Sequence, residues 1–197
     1  MLALRAMSAD DEPVLSLLRS GNAREAAAAL IRAEGPAVLR YLRAVLRDED
    51  LANDAFSLFA EWSWSAIESY RGESTVRTWS FGIAVNAARR VRDEAWHKHK
   101  ERLKTGDASR LAEEVRTSSP RELERQADRL AELRQELSAE DQNLLVLRLD
   151  QRLTWDEVAA ILAEAGQSAS PAGLRKRFER LKERIARLAR TRGLLRR

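Results

Sequence analysis

The sequence contains no cysteine. That excludes disulfides and thiolate metal sites, and it suits a reducing compartment. Glycine (8) and proline (4) are scarce among 197 residues. β-Branched residues are few beside Ala, Leu, Arg and Glu, a composition that favours helix throughout. No uninterrupted apolar run reaches membrane-spanning length, so no membrane insertion is expected. The opening "MLALRAMSADDE" has too short an apolar patch for a secretory signal and turns acidic at once. The two histidines, His97 and His99, alternate in "HKHK" and fall on different helix faces. With no cysteine as a third ligand, no metal site is expected. There is no Gly-rich phosphate loop and no nucleophile elbow, so neither an enzyme nor a cofactor is expected. A cytoplasmic location is the default.

What the chain does have is charge. Apolar residues make up 44% and charged residues 34%, enough for a core beneath a highly charged surface. The net charge of +4 is unevenly spread. Residues 171–197 hold eleven Lys/Arg and two Glu, a local +9, so the preceding 170 residues sum to −5. A basic end on an otherwise acidic chain suggests contact with a polyanion. The plainer alternative is a solvated basic helix end.

The periodicity predicts two small helical domains, 13–100 and 128–197, joined by a linker at 101–127. Residues 13–34 read as a helix broken by "EGP" at 34–36, and 37–47 as a second helix. "DED" at 48–50 signals the start of a third helix, running to about Ser69. "RGES" reads as a loop, and Ser74 or Thr75 as the cap of a fourth helix reaching about Lys100. Residues 104–120 lose periodicity and contain Gly, Ser and Pro, and a helix is expected over 121–137. Three more helices follow in 138–190, separated by "DQRLT" and "AGQSAS".

The last two of these are well marked. Thr154 and Glu157 form a capping box. Ser170 is placed as a cap with Pro171 at the first helical position. Leu174, Phe178, Leu181, Ile185 and Leu188 then repeat at spacings of 4, 3, 4 and 3, which sets a core stripe. Lys176, Glu179, Arg180, Glu183 and Arg187 lie opposite it, flanked by Arg175 and Arg177. A short helix followed by one with basic residues near its start is the helix-turn-helix arrangement, whose second helix enters the major groove. The other reading is a helical hairpin with a solvated basic face.

The fourth helix is two-faced. Phe81, Ala84, Val85, Ala88 and Val91 make a core face, while Trp79, Ile83, Asn86 and Arg90 gather opposite, with Arg89 beside them. Indole and amide groups among arginines suit opened nucleic acid, because bases stack on rings and amides read base edges. Packing of Trp79 on a neighbouring helix is the competing explanation. The third helix is acidic at its start. Leu51, Ala55, Leu58, Phe59 and Trp62 form one stripe, and Phe56, Trp64 and Ile67 lie elsewhere. Such a helix is either central in its bundle or docked on a partner.

Three stretches carry a family resemblance. "DLANDAF" (50–56) is similar to a D-x-x-Q-E-x-F core-binding segment. "YRGESTVRTWSFGIAVNAARR" (70–90) is similar to an F-R-G-E-S-x-F-R-T-W-L-x-x-I-A-x-N promoter segment. "LSAEDQNLLVLRLDQRLTWDEVAAIL…LRKRFERLKERI" resembles region 4 of the same proteins. With these in order over about residues 20–192, the chain resembles bacterial RNA polymerase sigma factors of the extracytoplasmic-function group.

The resemblance implies an all-α protein that binds core RNA polymerase, through its clamp helices and flap, and directs it to promoter DNA. It places Asp50, Leu51, Asn53, Asp54 and Phe56 on the clamp-binding surface. Arg71, Gly72, Glu73, Ser74 and Thr75 match the loop that forms a base pocket. Asn86 matches the asparagine that helps to recognise a flipped-out −10 base, with Trp79, Arg89 and Arg90 on the same surface. Arg175, Lys176, Arg177 and Arg180 fall at or beside −35-reading positions. An anti-sigma factor is a common further partner in the family. The chain departs from the pattern in three places: Asn53 replaces a glutamine, the segment between Phe56 and Tyr70 is longer, and "AEAGQSAS" lengthens the turn before a recognition helix that carries Glu179. The alternatives are a helix-turn-helix regulator acting without polymerase, and a protein-binding helical module with a solvated tail.

Overall fold

The computed structural model describes residues 11–97 and 136–191. They form helices joined by turns, with no strand among the described residues. No helix among them is long and apolar enough to cross a membrane. The chain divides into an N-terminal and a C-terminal compact unit. The expected linker at 101–127 and the body of the expected helix at 121–137 lie outside the described residues.

The described residues of the N-terminal unit include α1 (Glu12–Arg19), α2 (Ala23–Leu46), α3 (Glu49–Ala66) and α4 (Val76–His97). The break expected at "EGP" falls instead between α1 and α2. Gly21 takes φ 79°, a left-handed conformation open to glycine. The Asn22 amide donates to Leu17 O (2.9 Å) and the Gly21 amide to Leu18 O (3.0 Å), which closes α1 in a Schellman motif. Pro36 sits inside α2, and the helix runs through it. An interior proline costs roughly 3 kcal/mol. Leu30, Ile31, Val38, Leu39 and Leu42 flank it and are all fully buried. At about 1.5–3 kcal/mol per large apolar side chain, their packing outweighs the proline.

α2, α3 and α4 each pack against the other two, and α1 packs on α2. The centre is aromatic. Tyr41 meets Phe81 edge-on with ring centroids 5.6 Å apart, and Phe56 stacks on Phe59 at 5.6 Å. Much of the rest of the buried surface of α3 and α4 is small: Ala52, Ala55, Ala60 and Ser63 on one, Ser80, Ala84, Ala87 and Ala88 on the other. Short side chains let helix backbones approach closely. Of the stripe expected on α3, Ala55 and Phe59 are buried, but the main buried line lies one residue further round. Ala52, Phe56, Phe59 and Ser63 are buried on α3, continued by Ile67 in the 3₁₀ turn that follows, whereas Leu51, Leu58 and Trp62 are half-buried. α3 is apolar on more than one side because α2 and α4 both cover it.

The later described residues form α5 (Ala139–Leu145), a π-helical turn (Val146–Asp150), α6 (Trp155–Glu164) and α7 (Pro171–Thr191); of α6, only residues 155–159 belong to the C-terminal unit. The Ser138 hydroxyl accepts from the Asp141 amide and caps α5. The capping box at α6 forms as expected: the Thr154 amide donates to Glu157 Oε2 (2.6 Å), and the Glu157 amide to Thr154 Oγ1 (3.3 Å). Ser170 Oγ accepts from the Gly173 amide, and Pro171 opens α7. Leu174, Phe178 and Leu181 are buried, but Ile185 and Leu188, expected on the same stripe, are half-buried. α5 packs on α7 but has seven residues to the 21 of α7, and at ~1.5 Å per residue it spans only part of that length.

Among the described residues, the buried hydroxyls of Ser63 and Ser80 have no hydrogen-bond partner. An unmet hydroxyl in an apolar interior costs about 1–3 kcal/mol. Ser80→Ala is therefore expected to stabilise the N-terminal unit by about 1 kcal/mol. The check is a higher denaturant midpoint with an unchanged slope.

Candidate nucleic-acid interface

The loop between α3 and α4 is built from both ends. A 3₁₀ turn, Ile67–Ser69, closes α3 with Ile67 buried. Tyr70 follows, largely buried, with its ring 5.3 Å from that of Trp79. Its hydroxyl donates to Ser74 O at 2.5 Å, which ties the two ends of the loop together. Gly72 at φ 71° makes the turn that a side chain would strain. Thr75 Oγ1 accepts from the Thr78 amide (3.1 Å), so Thr75 rather than Ser74 caps α4. Arg71 and Glu73 project into solvent, while Ser74 and Thr75 are half-buried. Burial pushes the Tyr70 phenol above its usual range, and the Asp11 carboxylate adds to the shift. Trp79 thus braces the loop from behind while keeping part of its ring exposed.

Further along α4 the two faces separate as the pattern predicts. Phe81, Ala84, Val85, Ala88 and Val91 are buried. Ile83 and Asn86 are half-buried, and Arg89 and Arg90 are exposed. Together with Trp62 of α3 and Asp93 they line an open depression of about 380 Å³. Asn86 lies ten residues beyond Val76, about 15 Å along the helix axis from the loop. Its Oδ1 accepts from the Arg89 guanidinium at 2.8 Å. Trp62 and Asp93 were not expected here. Trp62 comes from another helix, so no spacing along α4 points to it.

The acidic start of α3 is exposed as expected at Asp50 and Asp54, with Leu51 and Asn53 half-buried. Asp48 caps the helix by accepting from the Leu51 amide (2.9 Å). Phe56 is the correction. Expected on a partner-facing surface, it is 0% exposed and stacked on Phe59. Its spacing of four from Ala52 and three from Phe59 puts it on the rotated core stripe.

In the C-terminal unit Arg175, Lys176 and Arg180 are exposed. Arg177 is half-buried and engaged within the unit, donating to Asp141 Oδ1 (2.8 Å) and to Glu140 Oε2 (2.9 Å) at the start of α5. Partial burial works against its charge, but the two carboxylates outweigh that and raise its affinity for the proton. Arg148 lies over the Trp155 ring (5.0 Å), Trp155 meets Phe178 edge-on (5.3 Å), and Lys182 lies over Phe178 (5.7 Å). With Leu149, Arg152, Arg175 and Glu179 they line a second depression of about 420 Å³. Leu149 stands 51% exposed at its edge. The sequence pattern had singled out Arg175 and Glu179 but not Arg148, Leu149 or Arg152, which lie on the preceding turn.

Among the described residues no group of His and carboxylates could hold a metal ion. Residues 30–97 match the family model of sigma-70 region 2. The match covers a little over a third of the chain, from Leu30 in α2 to the end of α4, and so includes both the acidic start of α3 and the loop–helix segment. The matched segment is similar to region 2 of the sigma-70 family. No curated protein matches the chain.

The chain has two tyrosines, and burial raises the phenol of each: Tyr41, wholly buried, and Tyr70. Their folded pKa values lie above the ordinary 10.0, so the native state holds its phenolic protons where the unfolded state loses them. The stability this contributes is complete below pH ~10 and is lost as pH rises beyond it. The near-ultraviolet absorbance of the native protein should show no tyrosinate step near pH 10. The step should appear together with alkaline unfolding.

Proposed function

We propose that the chain is a sigma factor of the extracytoplasmic-function type, which binds bacterial core RNA polymerase and directs promoter-specific initiation. The observation that carries this is the arrangement within the matched segment. A pinned loop at 70–75 leads into a helix whose outer face sets Asn86, Ile83, Arg89 and Arg90 around an open depression. The loop and that face would take a strand separated at the −10 element, with bases stacking on exposed apolar and aromatic surface and the arginines meeting phosphate. Asp50 and Asp54, with the half-buried Leu51 and Asn53, would offer the polymerase an acidic docking edge.

The C-terminal unit would bind the −35 element as duplex. A capping box starts α6, and α7 begins with exposed Arg175, Lys176 and Arg180, an arrangement that supports a helix-turn-helix with α7 in the major groove. Glu179 would accept from cytosine N4 rather than approach phosphate. Arg177, paired with Asp141 and Glu140, would orient α7 rather than contact DNA. An anti-sigma factor is a further expected partner, and a cytoplasmic location follows from the role.

The test is transcription by purified core polymerase with and without the chain. Promoter-specific transcripts that require the chain are expected. If the chain never retains core polymerase, the sigma reading fails and a regulator acting without polymerase replaces it. Asn86→Ala should slow promoter opening by tenfold or more and leave −35 duplex binding unchanged. Equal loss of both would make Asn86 structural. Lys176→Ala combined with Arg180→Ala, in the full chain, should lower the slope of log affinity against log salt on a −35 duplex by about 2. An unchanged slope would remove both residues from the interface.

A further inference from the structure

The start of α4 is held from a distant part of the chain. Thr75 satisfies the Thr78 amide, but the Val76 amide, the first of the helix, donates to Asp11 Oδ1 at 3.0 Å, 65 residues away in sequence. Asp11 is 3% exposed. It stands at the N-cap position of α1, yet its side chain makes no capping bond to α1. Ser, Thr, Asp and Asn at that position ordinarily cap their own helix. Here the carboxylate serves the helix that follows the loop. A carboxylate at a helix N-terminus also meets the positive end of the helix dipole.

Other contacts join α1 to the same loop. A Cβ on Gly72 would lie 3.7 Å from Leu15 of α1, so α1 backs the loop at its left-handed residue. Asp11 is close enough to Tyr70 to influence its phenol, and Tyr70 bonds Ser74 and packs on Trp79. The loop is therefore closed on itself by Tyr70 and fixed at its exit by Asp11.

We propose that Asp11 is a positioning residue for strand opening, setting the conformation of residues 71–75 by capping α4 at Val76. This rests on the sigma reading above. Asp11 touches no DNA and acts through the Val76 amide and the start of α4. Without it the first turn of α4 frays, and Ser74 and Thr75 lose their fixed placement. Folding of the bundle below that turn, and the C-terminal unit, do not depend on it.

The experiment uses the full chain with core polymerase on a promoter defined by the wild-type transcripts. A fluorescent base analogue in the −10 region reports opening, and a −35-only duplex reports closed binding. Asp11→Ala is expected to slow opening at least tenfold, with −35 binding within twofold and faster hydrogen exchange at Val76 and Arg77. Asp11→Asn keeps a carbonyl acceptor in place and should restore opening to within threefold of wild type. Opening at the wild-type rate by Asp11→Ala overturns the proposal. So does a parallel loss of opening and −35 binding, which a general loss of stability would give. If Asp11→Ala does not fold, Asp11→Glu keeps the charge but displaces the acceptor by one methylene. Slowed opening with −35 binding retained then supports the proposal, and wild-type opening overturns it. A wild-type chain that opens no promoter with core polymerase would overturn the sigma reading itself, a result independent of any variant.

Discussion

Everything in the N-terminal unit depends on α4 burying one side against α2 and α3 without reserve. Tyr41 meets Phe81 edge-on, and the remaining buried positions of α4 are chiefly alanine, serine and valine. Interiors packed to crystal-like density transmit position from one helix to the next. A helix held so firmly on one face can display polar groups on the other with little freedom. That is what a recognition surface requires, since groups that must first be ordered give up binding free energy in the ordering. Asn86 and its neighbours stand on such a helix rather than on a loop. Even the loop before it is closed by the Tyr70–Ser74 bond and backed by Trp79.

The C-terminal unit reaches firmness by other means. Among the described residues it buries fewer large aromatics, and cations lie over its two paired rings. Across three elements, Trp155 and Phe178 meet edge-on, with Arg148 over the one ring and Lys182 over the other. A guanidinium or ammonium over an aromatic face is worth about 0.5–1 kcal/mol at an exposed site. The Arg177 pairs with Glu140 and Asp141 join the starts of α5 and α7. Its basic surface is thus partly structural, and the charge displayed by α7 is smaller than a count along the sequence suggests.

Local signals were legible in the sequence, and non-local ones were not. Asp48, Thr75, Ser170 with Pro171, and the Thr154–Glu157 box all mark real helix starts, because a cap and the amide it meets lie within three residues. The two faces of α4 follow from 3.6-residue periodicity alone. "EGP" misled because a proline signal is local while the packing that overrides it comes from two other helices. Phe56 misled because a one-residue rotation of α3 is decided by which neighbours cover it. The bond from Asp11 to Val76 and the pairing of Arg177 leave no trace in spacing, since each joins elements far apart in the chain.

The Asn86–Arg89 hydrogen bond has a consequence for chemical polarity. A carboxamide can ordinarily turn over and offer either its oxygen or its NH₂ to a visitor. Here the guanidinium, which can only donate, selects the oxygen for itself and fixes the amide's sense. Asn86 then faces outward as two hydrogens and one remaining lone pair. Such a group favours molecules that present carbonyl oxygens or ring nitrogens over those that present amino groups. One arginine, set one turn along the helix, thereby gives a side chain of either sense a fixed orientation in which donors outnumber acceptors.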